Sequence, residues 1–242
     1  MQLDDTVVLI TGASRGLGRS MAHRFVEEGA RVSLVSRTES TLEAVADEID
    51  GETLVAPADV RDRQSVEDAI SKTVEAFGRI DTLVNNAGVS QLGLTDERVP
   101  LVDVDESMWD LVLETNLKGV YLFTKHSIPH MQASERPNII NISSGLGRHA
   151  VGGAGPYVAS KWGLEGLTRV VALEHEDEIN VNALDPGGRV DTDIWAHLPA
   201  EERDQILDPD VMDDAAVMIA ALEPGSITGE SMTAADWEDR LE

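Results

Sequence analysis

Cysteine is absent from this sequence, which excludes disulfide frameworks, thiolate metal sites and cysteine nucleophiles and fits a reducing compartment. No apolar run approaches the roughly 18 residues of a membrane-spanning helix. The opening MQLDDTVVLITG has no basic segment leading into a long apolar one, so the expectation is a soluble, cytoplasmic protein. Basic residues are scarce: 19 lysines and arginines stand against 45 aspartates and glutamates, a net charge of −26. Lysine occurs only at Lys72, Lys118, Lys125 and Lys161. Such a surface repels nucleic acid and anionic membranes, so neither is expected as a partner. Low-complexity tracts, internal repeats and proline- or serine-rich linkers are missing too. The 242 residues, 42% of them hydrophobic, therefore read as one domain with a sizeable core.

What the chain does have is alternation. Short apolar runs at 6–11, 31–36, 53–59, 80–86, 138–143 and 179–184 read as strands, separated by helical patterns at 16–28, 40–49, 63–77, 106–131 and 157–174. Buried strands alternating with helices predict an α/β fold, a three-layer doubly wound parallel sheet of about seven strands with helices on both faces. The long connections, 88–105, 145–156 and 187–209, all follow predicted strands, and in an open parallel sheet such connections build the ligand crevice. Residues 188–209 are a candidate lid over substrate.

TGASRGLG (11–18) lies between the first strand and the first helix, the context in which a glycine motif signals a dinucleotide. Gly12, Ser14, Arg15, Gly16, Leu17 and Gly18 are the candidate contacts. Glycine lets the backbone approach a pyrophosphate, and a helix N-terminus offers unpaired N–H groups and partial positive charge. An acidic residue usually ends the second strand where NAD is bound. Here Ser36 and Arg37 stand there, and Arg37 with Arg15 would hold a 2′-phosphate by charge-assisted hydrogen bonds. NADP(H) is the expected cofactor, with NAD(H) as the alternative. Asp59 and Val60 after the third strand are placed to meet an adenine, although Asp59 also suits a helix cap. Asn86, Ala87 and Gly88, in NNAG (85–88), would lie against the cofactor.

YVASK (157–161) puts Tyr157 and Lys161 one helical turn apart on one face. Reduction of a ketone needs a hydride on carbon and a proton on oxygen, hence a general acid within hydrogen-bond reach. A phenol at about pKa 10 is a poor match to neutral pH, and an adjacent ammonium favours the phenolate. Tyr157 is accordingly the candidate proton donor and Lys161 its modulator. Ser144, ending the fifth strand, would hold the substrate oxygen as charge develops. Alternation along the strand would point the hydroxyls of Ser143 and Ser144 in opposite directions.

TGASRGLG, NNAG, the asparagine of TNLKGV, ISS, YVASK and DPGGRVDT stand in the order and spacing of the short-chain dehydrogenase/reductases, which nearly the whole chain resembles. The resemblance implies a single Rossmann-type domain, reversible hydride transfer between a carbonyl or alcohol substrate and a nicotinamide cofactor, and a homotetramer or homodimer. It further implies that Lys161 hydrogen-bonds the nicotinamide ribose and that Asn116 holds a water linking Lys161 to solvent. Pro186 and Gly187 would flank the nicotinamide, and Val190 and Thr192 would complete its site. Two departures stand out. Gly188 and Arg189 make two residues, where one is usual, between the PG pair and the next aliphatic, and the C-terminus lacks an Asp-Gly-Gly ending. The rival reading is a catalytically silent protein that senses NADP(H); retention of Ser144, Tyr157 and Lys161 together speaks against it. His126 and His130 are four apart but lack an HExxH setting, so no metal is expected. Acid spread along the chain with lysine scarce resembles proteins of halophilic prokaryotes, in which salt screens self-repulsion.

Overall fold

The central strands carry apolar side chains on both faces, as Leu9 and Ile10 or Leu83 and Val84 do, and this fixes their position between helical layers. In the computed structural model, which describes residues 3–192, 195 and 198–242, seven parallel strands are ordered β3-β2-β1-β4-β5-β6-β7. They are β1 (Val7–Thr11), β2 (Arg31–Val35), β3 (Thr53–Val55), β4 (Thr82–Asn85), β5 (Asn138–Ile142), β6 (Asn180–Asp185) and β7 (Ser231–Thr233). The helices are α1 (Gly16–Glu27), α2 (Glu39–Glu48), α3 (Arg63–Phe77), α4 (Gln91–Thr95), α5 (Glu106–Leu113), α6 (Gly119–Met131), α7 (Gly155–Glu174), α8 (Ala200–Arg203), α9 (Asp213–Ala220) and α10 (Ala234–Leu241). Part of the expected lid, including His197, lies outside the described residues.

Alternation along β1 feeds two cores. Val8 and Ile10 join Met21 and Phe25 of α1, Leu42 of α2, Ala216 of α9 and Trp237 of α10 on one face. Leu9 joins Val66 and Ile70 of α3, Phe123 of α6 and Val171 of α7 on the other. The sheet order reverses between β1 and β4, and the carboxyl ends of these strands open into the crevice that such a reversal creates.

The structure departs from the sequence expectation in three places. The helix expected over 106–131 is interrupted at Glu114–Lys118 by a π-helical turn. The third strand spans only Thr53–Val55, because Ala56 to Asp59 run on toward the cleft. The seventh strand, β7, lies in the polar C-terminal stretch where no strand was expected. It arrives at the sheet edge through asparagines: Asn138 donates to the carbonyls of Ala220 and Leu222 (both 3.2 Å), Asn180 to Glu223 (2.9 Å) and Asn182 to Ile227 (2.8 Å). Carbonyls at the end of α9 and in the segment after it are thereby satisfied by side chains instead of a ladder.

Candidate active site

The glycine turn is held from behind. Thr11 Oγ1 accepts from the backbone N–H of Asn86 and Ala87 (both 3.0 Å), and Asn86 Nδ2 donates to the carbonyls of Thr11 (2.8 Å) and Gly12 (3.2 Å). The Asn86 Nδ2 is engaged by the turn, while the residue lines the cleft. Gly12 and Gly16 adopt φ of +70° and +53°, the region that favours glycine. Gly18 does not line the cleft; a Cβ there would stand 2.4 Å from the Gly12 carbonyl oxygen, so its role is close packing of α1 on the turn. No side chain caps the N-terminus of α1, whose first N–H groups remain available to an anion.

A cleft of about 1110 Å³ runs from this turn across the carboxyl ends of the strands. Ser14, Arg15, Leu17, Ala87 and Gly88 line it near the glycine turn, and Pro186, Gly187, Val190 and Thr192 line it after β6. At the end of β2 the Ser36 hydroxyl is buried, lines the cleft and has no hydrogen-bond partner, and Arg37 lines the cleft beside it. An orphaned hydroxyl costs free energy unless a ligand satisfies it. Together with the uncapped helix it fits a nucleotide bearing ribose and phosphate oxygens. Asp59 and Val60 line the cleft, and the Asp59 carboxylate is bound by Arg61 (Nε 2.9 Å, Nη2 2.6 Å), which holds it below the usual carboxylate range. The cap of α3 is Asp62, which accepts from Ser65 N at 2.8 Å. Val60 packs over Gly119, and Gly88 stands beside Asn116.

The catalytic candidates come from adjoining elements. Ser144 follows β5 and turns into the short 3-10 helix Gly145–Gly147, accepting from Leu146 N at 3.2 Å. Ser143 turns the other way and hydrogen-bonds the buried Glu165. Pro156 sits in the first turn of α7, where its fixed φ suits a helix start. That start brings Tyr157 to the cleft that Ser144 also lines. The Lys161 ammonium lies over the Tyr157 ring, 5.7 Å from its centre, and donates to the Ile142 carbonyl at 2.7 Å.

The electrostatics correct one expectation. Burial pushes the Tyr157 phenol above its ordinary value and the negative Asp185 adds to this, while only the Ser144 hydrogen bond lowers it. Lys161 does not offset this, being lowered itself by burial to about 8 against the opposing pull of Asp185 and Glu165. The protein alone therefore keeps Tyr157 a neutral phenol, poised to donate.

Asn116 is fully buried and does not line the cleft. Its Oδ1 accepts from Val89 N (2.8 Å), and its Nδ2 donates to Val89 O (2.8 Å) and Ser160 Oγ (3.1 Å). Ser160 in turn donates to the Tyr157 carbonyl at 2.8 Å. The side chain is a clip between the segment after β4 and α7. Both ends of its amide are engaged by these contacts.

Sequence reasoning missed a charged cluster beneath the pair. Arg148 donates to Asp185 Oδ2 (2.5 Å), to Ser231 Oγ (2.6 Å) and to Glu165 Oε1 (3.3 Å). Asp185 Oδ1 accepts from Gly187 N at 2.9 Å. The cluster ties the loop after Ser144 to the turn at Pro186–Gly187. The one signal in the sequence was the acid immediately before the PG pair. After β6, Val190 pairs with Leu207, and Thr192 packs against Gly16, closing the expected lid segment onto the glycine turn. Trp195 lines the cleft, whereas Leu198 does not. Among the described residues no cluster of three metal-ligating side chains occurs.

Comparison with known proteins agrees with this geometry. The family model described as short chain dehydrogenase matches residues 6–203. The (2S)-[(R)-hydroxy(phenyl)methyl]succinyl-CoA dehydrogenase subunit BbsD of Thauera aromatica is 34% identical, with 95% of each chain covered. The 3-oxoacyl-[acyl-carrier-protein] reductase FabG of Thermotoga maritima is 33% identical over 95% of this chain and 96% of its own. The NADPH-dependent pterin aldehyde reductase of Arabidopsis thaliana is 36% identical over 93% and 92%. Among solved structures, levodione reductase superposes with a TM-score of 0.86 at 28% identity, covering 97% of this chain and 98% of that one. The chain belongs to the short-chain dehydrogenase family of oxidoreductases.

Proposed function

We propose that this enzyme interconverts a ketone and a secondary alcohol with NADP(H), Tyr157 exchanging the proton with the substrate oxygen. The observation that carries the reading is the meeting of Ser144, Tyr157 and Lys161 at one cleft that also holds the glycine turn. When bound, the nicotinamide cofactor supplies or removes the hydride. Gly12, Ser14, Gly16 and Leu17 would hold its pyrophosphate; Ser36, Arg37 and Arg15 its 2′-phosphorylated ribose; Pro186, Gly187, Val190 and Thr192 its nicotinamide. The Ser144 hydroxyl orients the substrate oxygen toward the phenol, and Tyr157 gives up its proton as negative charge develops there. Lys161, seated between the Ile142 carbonyl and the Tyr157 ring, is the cation beside the phenolate so formed. Support for the phosphorylated cofactor comes from the lack of an acid at the end of β2 and from the orphaned Ser36 hydroxyl. It also comes from the Arabidopsis relative, whose name is an NADPH-dependent reductase. The Thermotoga relative's name supports 3-oxoacyl thioesters as candidate substrates.

The chain is proposed to act as one domain with a lid over 188–209, and to self-associate. Trp109, Tyr121, Trp162, Val170 and Leu173 stand exposed on α5, α6 and α7, and α5 packs against α7, leaving apolar surface uncovered.

Consumption of NADPH against a panel of ketones and 3-oxoacyl thioesters tests the activity, with Tyr157→Phe as control. Turnover is expected to fall at least about 100-fold in the variant while NADPH still quenches tryptophan fluorescence with similar affinity. A fully active Phe variant sinks the tyrosine mechanism; binding of NADPH without its oxidation on any ketone favours a sensor. Affinity for NADPH is expected to exceed that for NADH by about tenfold or more, and Arg37→Ala should erase the difference.

A further inference from the structure

Charge in the cleft is the reverse of charge in the chain. Eight of the 19 lysines and arginines line it, but only three of the 45 acids among the described residues. Those three are already engaged: Asp59 by Arg61, Asp185 by Arg148 and Asp191 by Arg203. With acids in such excess, most arginines elsewhere have found one, as Arg19 has Glu48, Arg79 has Asp81 and Arg136 has Glu223. An arginine in the cleft without a carboxylate is an exception that invites a ligand. Arg37, at the nucleotide end, is accounted for by the cofactor.

Arg98 and Arg189 are not. Each lines the cleft, is exposed, and forms no ion pair with any described residue. Their places follow from the sheet order. β5, which delivers Ser144, lies between β4 and β6. Arg98 belongs to the connection after β4 and Arg189 to the one after β6, so the two bracket Ser144 on the side of the sheet away from β2 and the Ser36–Arg37 pair. Each is also held. Arg98 Nη1 donates to the Gly152 carbonyl at 3.3 Å, and Val99 N donates to the Gly153 carbonyl at 3.2 Å, which fastens this segment to the loop after Ser144. The Arg189 guanidinium stacks on Trp195 at 5.2 Å, an arrangement that uses its face and leaves the N–H donors in its plane. Apolar Leu94 and Val151 line the same cleft.

We propose that the substrate carries an anionic group, a carboxylate or a phosphate, attached beyond the reacting carbonyl, and that Arg98 and Arg189 bind it. This deepens the carbonyl/alcohol reading and rests on it. Both guanidiniums present paired donors suited to planar or tetrahedral oxyanions, and in a chain of net charge −26 the cation-rich cleft is where such a substrate is attracted.

The test uses matched series of 2-oxo and 3-oxo compounds, each offered as the free carboxylate, the uncharged amide and the coenzyme A thioester, with NADPH. The readout is the ratio of kcat/KM for a charged member to that for its amide, which is internal to each preparation and independent of the fraction folded. Wild type is expected to favour a charged member by about tenfold or more, and Arg98→Gln and Arg189→Gln each to lower that ratio by about tenfold. Preference for the free acid assigns the anion to a carboxylate; preference for the thioester over both others assigns it to phosphate. Turnover of amides at least as good as of charged members, or a ratio unchanged in both variants, overturns the inference and leaves the oxidoreductase reading intact. Failure of every compound, amides included, counts against both.

Discussion

Lys161 is the residue on which the chemistry and the stability of the site meet. Its ammonium is buried and lowered to about 8 from an ordinary 10.5, so between these values the unfolded chain binds more protons than the folded one. Stability contributed at this position therefore rises with pH over that window, the cost of burying the charge being present in full below it and worth about 3 kcal/mol. Lys161→Met should lose activity, and its melting temperature relative to wild type should decline steadily from pH 7 to pH 10; a constant difference would contradict the assignment. Arg148 predicts the opposite kind of effect. Replacing it by Met leaves Asp185 and Glu165 buried with one cation fewer, expected to cost about 3 kcal/mol in urea unfolding. The catalytic residues were legible because their chemistry demands a fixed spacing, YVASK and ISS. Arg148 and Glu165 were not, because a buried ion cluster depends on which loops meet, and nothing local in GLGRHAV or GLEGL announces the meeting. Asn116 was legible as a position but not as a clip, for the same reason.

At the scale of elements, α1 and α9 are joined through one carboxyl group. Asp213, in the first turn of α9, accepts from Ser20 of α1 at 2.7 Å, and its other oxygen is buried without a partner. Burial, with Asp210 and Asp214 nearby, raises it from 3.8 to about 7. A carboxyl raised on folding gives up stability as pH rises through that window, because the folded state holds a proton that the unfolded state has released. Asp213→Asn should thus match wild type near pH 4 and exceed it at pH 8 by about 1 to 3 kcal/mol, discounted for partial exposure, in thermal melts. Most of the alternating elements were readable from periodicity, since buried parallel strands leave apolar runs and α3 or α7 leave long amphipathic ones. β7 was not: it spans three half-buried residues, Ser231–Thr233, and owes its place to the neighbouring β6 and to asparagine side chains. A cue was available at its last residue, where Thr233 and Asp236 form a capping box that begins α10.

For the whole molecule the dominant quantity is a charge of −26 on 242 residues. Self-repulsion of that size favours expansion until salt shortens its range, from about 8 Å at 0.15 M to about 3 Å at 1 M. The melting temperature is expected to climb through a potassium chloride series up to molar concentrations, and an unchanged value would remove the proposed adaptation to salt. Fold class was evident from alternation alone, whereas the concentration of positive charge around one crevice was not, because a composition total averages over positions that only folding brings together.

The asparagine fingers that secure the last twenty or so residues have a practical corollary. Trp237 is sealed beneath them, its indole donating to the Ala183 carbonyl at 3.1 Å, while Trp109 and Trp162 face solvent. Peeling of the tail would unseal a single indole without melting the sheet. A fraction of the emission that acrylamide reaches only during such excursions would time the event directly, giving the enzyme an intrinsic optical gauge for the detachment of its own C-terminal edge.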